Sequence, residues 1–190
     1  MKPIPFSIFY FIAVIIIAHF FVPPEYVWTQ NTISELASQG LPNQWIMQIG
    51  FIGFGILFNL GFVLKFIAEK KVTYADMPLM TYGLSILVTG FYSAAPFLEN
   101  VTYSLREAGI HSLFATVAGI AFTLGILWRA AVAGSTQERL VHILFLVLVT
   151  GASALFGVSE SGIIPLGKGI AQRALYLVSF VWILIDQRFF

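Results

Sequence analysis

Cysteine and charge are both scarce in this sequence. It contains no cysteine, which excludes disulfides, iron–sulfur clusters, thiolate zinc sites and cysteine nucleophiles. Asp, Glu, Lys and Arg make up 10% of the 190 residues, whereas soluble domains carry about 25%. The formal net charge is +1, which provides no basic field for a nucleic acid, so we expect no nucleic-acid partner.

Apolar residues are correspondingly abundant. They make up 58% of the chain, and the mean hydropathy is +0.89. A soluble domain of this size leaves much of its surface in water and has too little interior to hide so much apolar surface. The composition therefore predicts an all-α integral membrane protein whose main partner is the lipid bilayer.

Six apolar runs approach the length of about 20 residues that a membrane helix needs. They cover residues 4–22, 45–67, 78–98, 109–133, 140–158 and 170–185. They lack the alternation of barrel strands, and helices satisfy their own backbone hydrogen bonds in lipid. Residues 1–190 are thus predicted to form a single six-helix transmembrane domain. A capping box from Thr32 to Glu35 predicts a short interfacial helix after the first span.

The distribution of basic residues predicts the orientation. With the N-terminus inside, the inner segments carry Lys2, Lys65, Lys70, Lys71, Arg129, Arg139 and Arg188, and the outer segments carry Arg106, Lys168 and Arg173. Lys and Arg concentrate on the cytoplasmic side of membrane proteins. We therefore expect a multi-pass protein of the plasma membrane with both termini in the cytoplasm.

Small and hydroxyl residues recur at helical spacing in several runs. Ser112, Thr116 and Gly119 share a face of the fourth run, and residues 81–93 carry a similar stripe. Such stripes are typical of helix–helix contact, which we favour, or of a polar-lined cavity. Residues 55–61 also recur in pattern as 119–125, and each copy precedes a basic residue. A duplicated hairpin would explain this echo, but chance agreement among abundant residue types is the stronger explanation.

Ionisable side chains cluster at the predicted outer surface and define the candidate site. A guanidinium partly within the membrane needs an anionic partner, and the carboxylates on that side are candidates. We consider His111 and Glu99 as candidates for acid–base chemistry, and Arg173, Glu35, Glu160 and Tyr176 for ligand binding. The alternative is that these residues form a structural cap tying the loops together.

Sequence motifs for other kinds of site are absent. No P-loop, dinucleotide fingerprint or Gly-x-Ser-x-Gly motif occurs, so no cofactor is predicted. The histidines lack His-x-x-x-His and Glu-x-x-His spacing, so no metal site is predicted.

Three stretches resemble the bacterial and archaeal membrane-protein family of domain of unknown function 998. Residues 31–36 are similar to its Ile-Ser-x-Leu element, and residues 95–99 with 111–115 to its Phe-Pro-x-Asp and His elements. Residues 169–173 are similar to its Gly-x-x-x-Arg element at the start of the last helix. The resemblance implies a six-helix fold and singles out Glu99, His111 and Arg173, but it implies no reaction.

Three functions are compatible with these observations. The first is binding of a lipid or hydrophobic small molecule at the outer leaflet, in a binding, sensing or accessory role. The second is an enzyme acting on a lipid or isoprenoid-like substrate through His111 and a carboxylate. The third is a transporter or channel, which a homo-oligomer would allow. We rank it last because we expect the inner half of the bundle to lack charges and no helix to be broken at its midplane by Gly and Pro.

Overall fold

The computed structural model describes residues 2–70 and 74–186. It contains six α-helices: α1 Pro3–His19, α2 Gln44–Glu69, α3 Met77–Phe91, α4 Leu105–Val132, α5 Thr136–Glu160 and α6 Lys168–Asp186. Two 3-10 helices, Ser34–Ala37 and Tyr74–Asp76, precede α2 and α3. The described residues form no β-strand, so the predicted all-α fold is confirmed. Lys71 and Arg188, which the orientation prediction used, lie outside the described residues.

The third predicted run departs most from the helix that forms. It was expected to reach residue 98, but α3 ends at Phe91 because Tyr92 turns extended, at φ −122° and ψ 130°. The next residues then leave the helix axis and pair with the loop after α1. The Ala94 N–H donates to the Ala37 carbonyl at 3.3 Å, and the Gln39 N–H donates to the Ala94 carbonyl at 3.0 Å.

Four helices, α2, α4, α5 and α6, are long and apolar enough to cross a membrane. Helix α1 is apolar but has 17 residues, and α3 has 15. At about 1.5 Å per residue these two are about 25 Å and 22 Å long, shorter than the roughly 30 Å hydrocarbon core. Large apolar side chains also face outwards, such as Phe9, Val147 and Leu177, each more than half exposed. These features are those of a membrane-embedded protein.

An aromatic core holds the helices together. Each helix packs against the next along the chain, and α1 also meets α6. Phe11 of α1 lies 5.2 Å from Phe54 of α2 and 5.9 Å from Phe180 of α6, measured between ring centroids. Tyr82 of α3 and Phe122 of α4 are 4.9 Å apart. The core therefore spans the bundle and fixes the ends of the helices, where the polar groups lie.

The small-residue stripes of α3 and α4 differ in their burial. On α3, Ser85 and Thr89 are buried, so the predicted helix contact is confirmed there. On α4 it is wrong: Thr116 is exposed, and a Cβ on Gly119 would meet no described atom within 4 Å. The Thr116 hydroxyl instead donates to the carbonyl of Ser112, one turn earlier in the same helix, at 2.9 Å.

Candidate functional site

Arg173 fastens the first turns of α6 to the loop that follows α1. Its Nη1 donates hydrogen bonds to three backbone carbonyls, those of Trp28 at 2.7 Å, Asn31 at 2.8 Å and Gly169 at 3.0 Å. Hydrogen bonds from a charged donor are stronger than neutral ones, and all three acceptors here are neutral. The hydrogen-bond donors of Nη1 are therefore satisfied without a carboxylate.

The other nitrogen of the guanidinium, Nη2, contacts two side chains. It donates to the Tyr26 hydroxyl at 2.8 Å and lies 3.1 Å from His19 Nε2. Because arginine is a donor only, His19 Nε2 accepts, and its Nδ1–H donates to the Ile15 carbonyl at 2.7 Å. The Tyr26 hydroxyl donates to the Thr32 carbonyl at 2.9 Å. Burial raises the pKa of the Tyr26 phenol, while the Arg173 charge acts in the opposite direction.

Two neighbours of Arg173 explain why the loop and the helix meet so closely. A Cβ on Gly169 would collide with the carbonyl oxygens of Trp28 and Asn31, so this close approach requires glycine. Gln172 Oε1 accepts a hydrogen bond from the Ile33 N–H at 2.7 Å. The Gly-x-x-x-Arg element thus has a structural use, since the glycine admits two carbonyls and the arginine binds them.

Glu35 is buried and held by the loop and by α6. The Thr32 N–H donates to Glu35 Oε2 at 2.7 Å, and the Glu35 N–H donates to Thr32 Oγ1 at 3.1 Å. The predicted capping box is therefore confirmed, although the turn that it begins is a four-residue 3-10 helix. The Asn31 side-chain amide adds a bond to Oε2 at 3.3 Å. Glu35 Oε1 pairs with Lys168 Nζ at 2.6 Å.

An open cleft of about 470 Å³ lies beside this ion pair, and we call it the Lys168 cleft. Its walls come from the loop after α1, the segment after α3, the end of α5 and the loop before α6. Its lining includes Asn31, Glu35, Phe97, Ser159, Leu166 and Lys168. Among the described residues that line it, Glu35 and Lys168 are the charged ones. The Ser159 side chain is buried, and its hydroxyl has no hydrogen-bond partner within the described parts of the chain.

His111 closes the end of α3 rather than facing this cleft. It is 4% exposed, and its Nδ1–H lies 3.1 Å from the Thr89 carbonyl and 2.8 Å from the Tyr92 carbonyl. Carbonyls at a helix C-terminus have no partner within the helix, so the imidazole takes over that role. Glu107, one turn earlier on α4, accepts from the Ser93 N–H at 2.8 Å. Ser104 caps the start of α4, since the Glu107 N–H donates to its hydroxyl at 3.2 Å, while the Ser104 N–H donates to Gln39 Oε1 at 2.8 Å.

The other candidate residues are not drawn to this group. The side chains of Glu99 and Glu160 are exposed, and neither makes a hydrogen bond or ion pair with any residue that the structure describes. Tyr176 packs its ring against Phe11 and Phe180, each 5.5 Å away. Of the six candidate residues, Glu35 alone lines the Lys168 cleft in the described chain. Arg173 does not line the cleft but binds the carbonyl of Asn31, which does.

Lys168 and Ser159 were missed as site residues from the sequence. Lys168 was placed among the ionisable residues of the outer surface but was not chosen as a site residue, although its position at the first turn of the last helix was a signal. Ser159 sits in the Ser-Glu-Ser-Gly stretch that ends α5, which reads as an ordinary helix end. Their convergence depends on the fold of three loops, which no local pattern encodes.

A second polar group, the Asp76 network, lies at the other end of the bundle. Asp76 pairs with Lys65 of α2 at 2.9 Å and with Arg129 of α4 at 2.6 Å, and Arg129 pairs with Asp186 of α6 at 3.4 Å. Arg129 is 2% exposed and Asp186 is 1% exposed. The expectation that this end of the bundle lacks charges is therefore wrong.

The sequence echo contained a signal for this network. Lys65 follows the first copy and Arg129 the second, and both bind the same carboxylate, that of Asp76. Their partner stands just before α3, at a helix start where an acidic residue is unremarkable. Nearby, Trp182 Nε1 donates to His142 Nδ1 at 3.1 Å inside the bundle.

The described residues contain no group of three His, Asp or Glu side chains that is placed to hold a metal ion.

Comparison with known proteins gives one match. The family model described as "Protein of unknown function (DUF998)" matches residues 7–185. No curated protein and no solved structure matches the chain.

Proposed function

The chain belongs to the DUF998 family, a family of unknown function, and we propose that it binds a lipid or hydrophobic small molecule in the Lys168 cleft. The role would be that of a binding, sensing or accessory protein. The observation that carries the proposal is the cleft itself. It combines apolar side chains such as Phe97 and Leu166 with a partly exposed ion pair and a buried hydroxyl that lacks a described partner. A concave site that brings apolar side chains together with convergent polar groups is suited to an amphipathic ligand.

We further propose that all six helices are membrane segments, with both termini cytoplasmic and the Lys168 cleft at the outer side of the plasma membrane. Helices α1 and α3 would cross a locally thinned bilayer or be helped by their neighbours. The absence of cysteine makes this directly testable. In intact cells an impermeant maleimide should label Arg106→Cys, and it should label Arg139→Cys only after permeabilisation. The reverse pattern would overturn the orientation.

An enzyme remains the second function in rank. Its proposed base, His111, uses Nδ1 on two carbonyls and lies outside the cleft lining, and Glu99 does not contact it. General acid–base catalysis needs the reacting groups within hydrogen-bond reach of one another and of the substrate. This geometry supports binding over catalysis.

The binding proposal is tested by mass spectrometry of molecules that co-purify with the gently solubilised protein. The test variant is Lys168→Met, which removes the charge and keeps the length of the side chain. Arg106→Met is the matched control, because Arg106 is exposed at the same end of the bundle and does not line the cleft. A defined molecule should accompany wild type and Arg106→Met and be depleted in Lys168→Met. Identical profiles for all three proteins would overturn the proposal.

Arg173 variants are unsuited to this test. The Arg173 guanidinium holds Asn31, which lines the cleft, so a lost ligand would report a displaced wall as readily as a lost contact.

A further inference from the structure

Building on the proposed binding in the Lys168 cleft, we propose that the ligand there is zwitterionic. Its anionic group would take the place of Glu35 beside Lys168, and its ammonium group the place of Lys168 beside Glu35. Phosphoethanolamine and phosphocholine headgroups carry this pair of charges on a short linker.

The charge balance of the cleft is the first argument. Its described lining contains one cation, Lys168, and one anion, Glu35. A purely anionic ligand would contact the Lys168 ammonium but would place its charge next to the Glu35 carboxylate. A purely cationic ligand would contact that carboxylate but would place its charge next to the ammonium. Like charges brought together in a partly desolvated site oppose binding, so a ligand with both signs fits this lining better.

The way in which Glu35 is held is the second argument. Its Oε2 receives bonds from the Thr32 N–H, the Thr32 hydroxyl and the Asn31 amide, at 2.7, 3.2 and 3.3 Å. These donors belong to the loop itself, so the carboxylate keeps its position when Lys168 moves. Its Oε1, now on Lys168, is the atom that an incoming ammonium would contact.

Lys168 is the more exposed partner of the pair. Its side chain is 34% exposed, against 11% for Glu35. Water therefore screens the pair on the lysine side, and the long Lys168 side chain regains freedom when the pair opens. Exchanging this pair for two ligand contacts therefore costs the protein little.

Two further lining groups suit the same ligand. The Ser159 hydroxyl is buried without a described partner and can donate to an anionic group. Phe97 adds an aromatic ring to the lining, and aromatic rings attract ammonium groups, quaternary ones included. Arg173 is no competing anion site, since its two terminal nitrogens already bind carbonyls, His19 and Tyr26.

The test is native mass spectrometry of the delipidated full-length protein with four added lipids: phosphatidylethanolamine, phosphatidylcholine, phosphatidylglycerol and diacylglycerol. Wild type should retain the two zwitterionic lipids at least about tenfold better than the other two, the effect of one charge-assisted contact. Lys168→Met should lose that retention. Glu35→Gln should lose the preference and accept phosphatidylglycerol, because the repelling charge is gone.

The possible failures are distinguishable. If wild type binds phosphatidylglycerol as well as phosphatidylethanolamine, and Lys168→Met abolishes both, the cleft proposal stands and the zwitterion inference is overturned. If no lipid binds better to wild type than to Lys168→Met, both are overturned. Competition by soluble phosphoethanolamine would support a free zwitterion as the ligand, and selective retention without such competition would support the lipid itself.

Discussion

Replacing Arg129 by methionine should destabilise the protein more than any single change at the Lys168 cleft. Arg129 is 2% exposed and lies 2.6 Å from Asp76 and 3.4 Å from Asp186. Asp76 would keep Lys65 at 2.9 Å, but Asp186, at 1% exposure, would lose the one cation it pairs with among the described residues. Removing one member of a buried ion pair costs about 3–5 kcal/mol, because the remaining charge stays desolvated.

The assay is thermal unfolding of the purified protein in detergent. For a chain of this size, 1 kcal/mol corresponds to about 2–4 °C, so Arg129→Met should lower the melting temperature by on the order of 10 °C. Lys65→Met is the matched control, since it removes a cation from the same aspartate. The Lys65 side chain is 22% exposed, so its loss should cost about 1 kcal/mol or less.

A double variant separates electrostatics from packing. Asp186→Asn removes the charge that Arg129→Met leaves unpaired, so Arg129→Met/Asp186→Asn should recover about 1–3 kcal/mol of the loss, the usual range of coupling between contacting residues. If the double variant is no more stable than Arg129→Met, or if Arg129→Met melts with Lys65→Met, the buried-charge reasoning is refuted.

Three further predictions concern the joint between α6 and its loop, the helix crossings and pH. Arg173→Lys keeps the charge, but a single ammonium group cannot reach both the carbonyls and the side chains that the two guanidinium nitrogens bind. The variant should therefore lose about 2 kcal/mol of stability and expose the 20–43 loop to limited proteolysis. An unchanged digestion pattern would contradict this. A Cβ at Gly55 would lie 2.6 Å from the Gly83 carbonyl oxygen, whereas at Gly119 it would meet nothing within 4 Å. Gly55→Ala should therefore lower the stability measured by thermal unfolding by about 1–3 kcal/mol, and Gly119→Ala should raise it by about 0.5–1 kcal/mol. Equal effects of the two substitutions would contradict the close contact between α2 and α3 at Gly55. Burial raises the pKa of Tyr26, so folding favours its protonated form. Its contribution is complete below the ordinary value of about 10 and is lost as pH rises through the raised value, so Tyr26→Phe should show a smaller fall in melting temperature above that pH than wild type.

The helical fold could be predicted because its signals are local. Long apolar runs predict helices whatever their neighbours do, and the capping box from Thr32 to Glu35 involves residues three apart. The end of α3 could not be predicted in this way. Residues 92–98 are as apolar as a helix end, and the helix stops where Ala94 pairs with residues 37 and 39, which are remote in sequence.

The candidate site was predictable in part, for a related reason. The ionisable residues of the predicted outer surface identified Glu35 and Arg173 as residues of interest, and the family elements pointed to Glu99, His111 and Arg173. The hydrogen-bond partners of these residues could not be predicted from the sequence. Arg173 binds backbone carbonyls, which every residue carries and no sequence pattern marks. A search for carboxylates that could neutralise a guanidinium therefore pointed to the wrong acceptors.

The two ends of α6 carry ion pairs of different kinds, and this difference bears on the choice between binding and transport. The Lys168 pair is partly exposed beside an open cleft, and a ligand that carries both charges would replace it without leaving Glu35 unpaired. The Asp76 network lies some 27 Å away along the helix, by about 1.5 Å per residue, and is almost fully buried. A transport path through the bundle would have to separate Arg129 from its carboxylates, at a cost of several kcal/mol. Ligand binding at the Lys168 end requires no such step, so it is the function that this arrangement of charges favours.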